Sequence, residues 1–104
     1  MQKTFPALLL LLPMILAAET PTPADATAFV GKAEEKLLKA SIAAERANWV
    51  ASNFITEDTE LIAADANQRR MELAAGLAKE ATRFDGLALD AETTRKLKLL
   101  KLSL

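Results

Sequence analysis

The sequence predicts an all-α protein, with two long antiparallel helices followed by a third, amphipathic one. Three observations carry this. Alanine and leucine, both strong helix formers, are abundant, and the whole chain holds only 3 glycines. Apolar residues recur at three- and four-residue steps along two long stretches. Helix punctuation separates the stretches, with Asn53 to Thr56 after the first and Asp85-Gly86 after the second.

The chain opens on a different pattern. Lys3 supplies a positive start, Phe5 to Leu16 form an apolar run, and Ala17-Ala18 place small residues before Glu19. This is the layout of a secretory signal, expected over residues 1–18 with cleavage after Ala18. The run is shorter than the roughly 20 residues a bilayer span needs. Pro6 and Pro13 also oppose a regular membrane helix. Membrane association is therefore expected only through an uncleaved signal segment, and the location is secreted or periplasmic. No cysteine is present for lipid attachment. Thr20-Pro21-Thr22-Pro23 reads as stiff and extended, which places a Pro/Thr linker over 19–26.

The first helix is expected at about 27–53, capped by Asp25 or Thr27. Val30, Ala33, Leu37, Ala40, Ala44, Ala47 and Ala51 share one stripe. Phe29, Leu38, Ile42 and Trp49 widen it, as in a helix buried along much of its girth. Glu35 and Lys39 are spaced for a surface ion pair.

Thr56 can cap the second helix, expected at about 57–84. Glu57, Asp58 and Glu60 put negative charge at the positive end of its dipole. Its stripe is Ile62, Ala66, Leu73, Leu77, Ala81 and Phe84, with Met71 and Ala74 beside it and Arg69 or Arg70 interrupting the seam on its polar side. Gly86 can take the left-handed conformation that ends the helix, and Arg83 lies in the last turn, where a cation is favoured. Asp90 caps the third helix, expected at about 90–104, with Glu92 spaced to pair with Lys96. Leu97, Leu100 and Leu104 share its face. The third helix shows no stop signal by Leu104, so the segment is expected to belong to a longer chain.

Composition restricts the chemistry. The part after the signal makes one domain at most, and one of about 80 residues is marginally stable. The chain contains 0 histidines and 0 cysteines, so disulfides, thiolate metal sites and the usual general base are all missing. Ser41 and Ser52 have no histidine to activate them. Glu34-Glu35 and Glu57-Asp58-Glu60 fit no calcium loop, and capping accounts for the second group. A net charge of −1 gives no reason to expect nucleic-acid binding. The basic run Arg95 to Leu102 could lie on a membrane surface, but its leucines suit packing on the first two helices better.

Ala47-Asn48-Trp49, Ile55-Thr56, the acid and Thr59 that follow, Ala81-Thr82-Arg83-Phe84-Asp85 and Thr94 to Leu100 occur in an order and spacing that resemble a known family. From about Phe29 to Leu104 the chain is similar to the N-terminal part of a bacterial member of the angiotensin-converting-enzyme-like peptidyl-dipeptidases. The resemblance implies a place in a large, almost wholly helical zinc enzyme that removes C-terminal dipeptides from oligopeptides. Residues 27–104 would then be a lid-like segment, with the remainder of the peptidase polypeptide as partner. The family's zinc sits on a His-Glu-x-x-His helix and a downstream glutamate, none of which is in this sequence. No catalytic, cofactor or metal role passes to any residue here. The family's Asn-Trp pair turns its asparagine to the cleft, which marks Asn48 as the substrate-groove residue. Animal relatives often carry a glycosylation site at the turn; here Phe54 stands at that asparagine position, and Asn53-Phe54-Ile55 is not a sequon.

The expected function is thus the lid of a secreted zinc peptidyl-dipeptidase, inactive alone. A free-standing periplasmic helical binding or interaction protein is the alternative. A membrane-active helical precursor, dependent on Lys96, Lys98 and Lys101, is the third.

Overall fold

A computed structural model describes residues 2–3 and 20–103. It contains helix α1 at Pro23–Asn53, α2 at Glu57–Ala81 and α3 at Ala91–Lys101, with a 3-10 turn at Thr82–Phe84 prolonging α2. No strand occurs among the described residues, so the chain is all-α. The expected signal segment and its cleavage point lie outside the described residues, apart from Gln2 and Lys3, as does Leu104.

α1 starts earlier than expected. Thr22, not Asp25 or Thr27, is its N-cap, so Pro23 to Ala26 belong to the helix rather than to a linker. The Thr22 hydroxyl accepts from the Asp25 N–H at 3.2 Å, and the Asp25 carboxylate accepts from the Thr22 N–H at 2.9 Å. Proline is tolerated at the first helical position because its missing N–H would have no intrahelical partner there. The prolines that suggested a linker thus lead into a helix.

Near the turn Asn48 meets Asn67, and at the far end Phe29 meets Phe84, so α1 and α2 run antiparallel. The hairpin is about 46 Å long at 1.5 Å per residue. α1 buries the expected stripe, including Val30, Ala33, Ala44 and Ala47. The widening residues are a correction. Leu38, Ile42 and Trp49 are exposed, because they lie on the side of α1 opposite the stripe. α2 is corrected at two positions: Ala63 is buried while Ile62 is 59% exposed, and Met71, expected beside the stripe, is exposed. Three residues back from Ala66, not four, is the step that stays on the seam.

The main core lies at the open end of the hairpin. Phe84, 1% exposed, is surrounded by Ala26, Val30, Ala33, Leu77, Ala81, Leu97 and Leu100. Its ring centroid is 5.2 Å from that of Phe29, and the Arg83 guanidinium lies 4.6 Å from the ring centre on its face. Gly86, at φ 82°, turns the chain towards α3 as expected. Asp90 caps α3 through the Thr93 N–H at 2.9 Å. α3 lays Thr93, Leu97 and Leu100 on the first two helices. It ends at Lys101 with Leu102 as C-cap, three residues short of the expected end.

Two caps make stability pH-dependent. The Asp25 carboxyl is held below its ordinary 3.8 by the Thr22 backbone N–H and hydroxyl, and Asp90 is lowered by its hydrogen bonds from Thr93. Groups lowered by folding stabilise the native state above their unfolded value and lose that contribution as pH falls through the folded one. The melting temperature should therefore hold from neutral pH to about pH 5 and decline below about pH 4. Replacing both residues by asparagine, which keeps a side-chain oxygen acceptor at each position but does not titrate, should flatten the decline in a circular-dichroism melt series.

Candidate functional site

Part of the residues that carry the family resemblance, Ala47-Asn48-Trp49 and Ile55 to Thr59, lie at the closed end of the hairpin, and the rest, Ala81 to Asp85 and Thr94 to Leu100, lie at the open end. α1 ends when the Phe54 N–H bonds the Val50 carbonyl at 2.8 Å. Two side chains bond back onto the last turns: Ser52 Oγ donates to the Asn48 carbonyl and Asn53 Nδ2 to the Trp49 carbonyl, each at 2.8 Å. Thr56 then caps α2, as expected. Its hydroxyl accepts from the Thr59 N–H and the Thr59 hydroxyl accepts from the Thr56 N–H, both at 3.1 Å. This is a capping box with threonine in the place usually taken by Glu or Gln. Thr56→Ala should remove about 1 kcal/mol, within the 0.5–2 typical of lost caps, and lower the melting temperature by about 4–8 °C. Thr56→Asp should retain most of it.

Asn48 is half-buried, and its side chain reaches across to α2. Its Oδ1 accepts from Asn67 Nδ2 at 2.7 Å, and the same nitrogen donates to the Ala63 carbonyl at 2.8 Å. Arg70 Nη2 donates to Asn67 Oδ1 at 3.1 Å, and Arg70 Nη1 lies 3.9 Å from Glu45. A polar chain Asn48–Asn67–Arg70–Glu45 therefore joins the helices where only alanines are buried. Asn67 and Glu45 were not foreseen. A signal was available: Asn67 stands four residues after Ala63 and seven before Ala74, on the margin of the α2 seam.

Beside this chain runs an open groove of about 490 Å³, lined by Leu37, Ser41, Arg70, Met71, Ala74, Ala75 and Ser103. It prolongs, past the end of α3, the furrow in which α3 lies. The basic residues of α3 are not all free for a membrane. Lys96 bonds Glu34 at 2.9 Å and Glu92 at 3.2 Å, and Lys101 bonds Asp85 at 2.6 Å. The two glutamates raise the Lys96 pKa above its ordinary value. No described helix is long and apolar enough to cross a membrane.

The expected acid clusters do not converge. Glu57, Asp58 and Glu60 line the first turn of α2, and Glu35 pairs with Lys39 at 2.7 Å. Among the described residues no three His, Cys, Asp or Glu side chains come together to hold a metal ion. With no histidine or cysteine in the sequence, the residues present do not fit a zinc site.

The fold and site together define a helical scaffold, an α-hairpin closed at one end by a doubly capped turn and clamped at the other by α3. The family model of the angiotensin-converting-enzyme peptidases matches residues 20–104, and the chain belongs to that family. No curated protein and no solved structure matches the chain significantly.

Proposed function

We propose that this chain is the N-terminal lid segment of a secreted zinc peptidyl-dipeptidase of bacterial type, which removes C-terminal dipeptides from oligopeptides. The family match over residues 20–104 carries the proposal. Closure over a cleft and exclusion of large substrates and water are ordinary duties of such segments. The remainder of the peptidase polypeptide supplies zinc and the catalytic groups, and Asn48 belongs to the side facing the groove. The isolated chain is inactive because it offers no residues for zinc. The test is titration of the purified chain with zinc, followed by incubation with an oligopeptide. Neither stoichiometric zinc uptake nor dipeptide release is expected. Observing both would overturn the proposal.

A free-standing periplasmic helical binding protein is the second reading, favoured by one observation: α3 closes a core around Phe84 without any other partner. Specific capture of a ligand by a chain with no peptidase-encoding continuation of its reading frame would favour it over the lid.

A further inference from the structure

The two ends of the molecule carry opposite chemistry. From residue 47 to residue 68 the sequence has Glu57, Asp58, Glu60 and Asp65 and no lysine or arginine; Asp65 pairs with Arg69 at 2.7 Å, which leaves Glu57, Asp58 and Glu60 as the acids of this end. The same end exposes Trp49, Phe54, Ile55, Leu61 and Ile62. At the other end, the outer face of α3 carries Arg95, Lys98, Leu99 and Leu102, spaced three and four residues apart, with both leucines exposed. Arg95 and Lys98 make no ion pair among the described residues, unlike Lys96 and Lys101. Exposed apolar residues connect the two ends. Leu99 shares a cleft with Leu37 and Glu34 of α1. Leu38, Ile42 and Trp49 then follow along the outer side of α1, all exposed.

We propose that two copies of this chain associate antiparallel along this face, the acidic closed end of each lying on the basic outer face of α3 of the other. Within one molecule α3 ends beside Leu37 and Ser41, short of the closed end, and neither Arg95 nor Lys98 pairs with an acid of that end. In an antiparallel pair the two patches meet twice, about a two-fold axis near Leu38 and Ile42, and the contact closes on itself instead of growing into a filament. Stable interfaces bury about 1,200–2,000 Å² in total. Trp49 and Phe54, 63% and 62% exposed, and the exposed Leu38, Ile42, Leu99 and Leu102 are the apolar area each copy offers to such a contact. Complementary charge at each end sets the antiparallel register. A bare lipid surface would engage α3 but leave the acidic apolar end uncovered, whereas a second copy covers both. This association does not depend on the peptidase reading.

Sedimentation equilibrium of the full chain tests the proposal. Residues 19–104 are run in parallel to control for the apolar leader, since the core lies wholly between Ala26 and Leu100. A dimer is expected for both, with its dissociation constant raised at least about tenfold in high salt. Arg95→Glu with Lys98→Glu should give a monomer, and so should the triple change Glu57→Lys, Asp58→Lys and Glu60→Lys, which leaves Asp65 as the one acid of that end. An equimolar mixture of these two variants should regain the dimer, because every end contact is again between opposite charges. Ile42→Ser with Trp49→Ser removes the apolar centre from exposed positions and should give a monomer with unchanged helix content by circular dichroism. The proposal is overturned by a monomeric wild type, by a dimer indifferent to these changes, or by variants that fail to recover on mixing. Association confined to the chain with its leader, or binding to anionic phosphatidylglycerol vesicles without self-association, overturns it as well.

Discussion

Phe84→Ala should leave the chain largely unfolded at 25 °C. Among the described residues Phe84 is the one large side chain buried almost completely, and all three helices meet around it. Truncating a buried phenylalanine removes about 3–5 kcal/mol, from lost transfer energy and the cavity left behind. Proteins hold roughly 0.05–0.15 kcal/mol per residue, which for the roughly 80 residues after the expected signal segment is about 4–12 kcal/mol in total. This chain belongs near the lower bound, because most of its buried residues are alanines. The loss therefore takes most of what there is. Phe84→Leu keeps much of the volume and should lose far less. Arg83→Ala, which removes only the cation over the ring, should lose about 0.5–1 kcal/mol. Thermal melts followed at 222 nm check the order of the three. A fall of less than about 1 kcal/mol for Phe84→Ala would mean that the helices do not close around this ring.

Much of this arrangement was legible in the sequence. The α1 stripe, the Thr56 and Asp90 caps and the turn at Gly86 follow from periodicity and capping, which act over a few residues and leave a local mark. The start of α1 was misread because Thr-Pro-Thr-Pro suits both an extended linker and a helix entry. Only the reciprocal bonds between Thr22 and Asp25 decide between them. The exposed side of α1 was misread for a different reason. Leu38, Ile42 and Trp49 recur at helical spacing, and spacing does not say whether a second apolar face has a partner. At the site, Asn48 and the capped turn were visible, but the partners of Asn48 were not. A pairing between residues 19 positions apart depends on how the two helices are rotated against each other, which no local pattern records.

The same contrast divides the hairpin energetically. The open end has Phe84, Leu77, Leu97 and Leu100 in its core, whereas towards the turn the buried residues are Ala44, Ala47 and Ala63. Alanine burial contributes little area, so the closed end relies on the Thr56 cap and the Asn48–Asn67 bond to hold its geometry. Regions with few buried apolar contacts open at lower free energy than the core. This distribution gives the hairpin a firm base and a lightly held tip, as the proposed lid role would require.

Leu97→Ala should release α3 while the hairpin stays helical. α3 has 11 residues, fewer than the roughly 12–15 at which an isolated helix becomes even marginal in water, so packing holds it in place. Leu97 is 4% exposed and lies in the core, so its truncation should remove about 2–5 kcal/mol. The ion pair beside it contributes much less. Glu34 is 52% exposed where it meets Lys96, and exposed pairs are worth about 0–1 kcal/mol, so Lys96→Gln should scarcely shift the melt. Hydrogen exchange should find the α3 amides of Leu97→Ala unprotected before those of α1 and α2. Leu97 and the Thr56 cap lie at opposite ends of the molecule and share no partner. The stability losses of Leu97→Ala and Thr56→Ala should therefore add to within about 0.3–0.5 kcal/mol. A larger coupling would show that α3 influences the closed end through the alanine seam, and that base and tip move as one body.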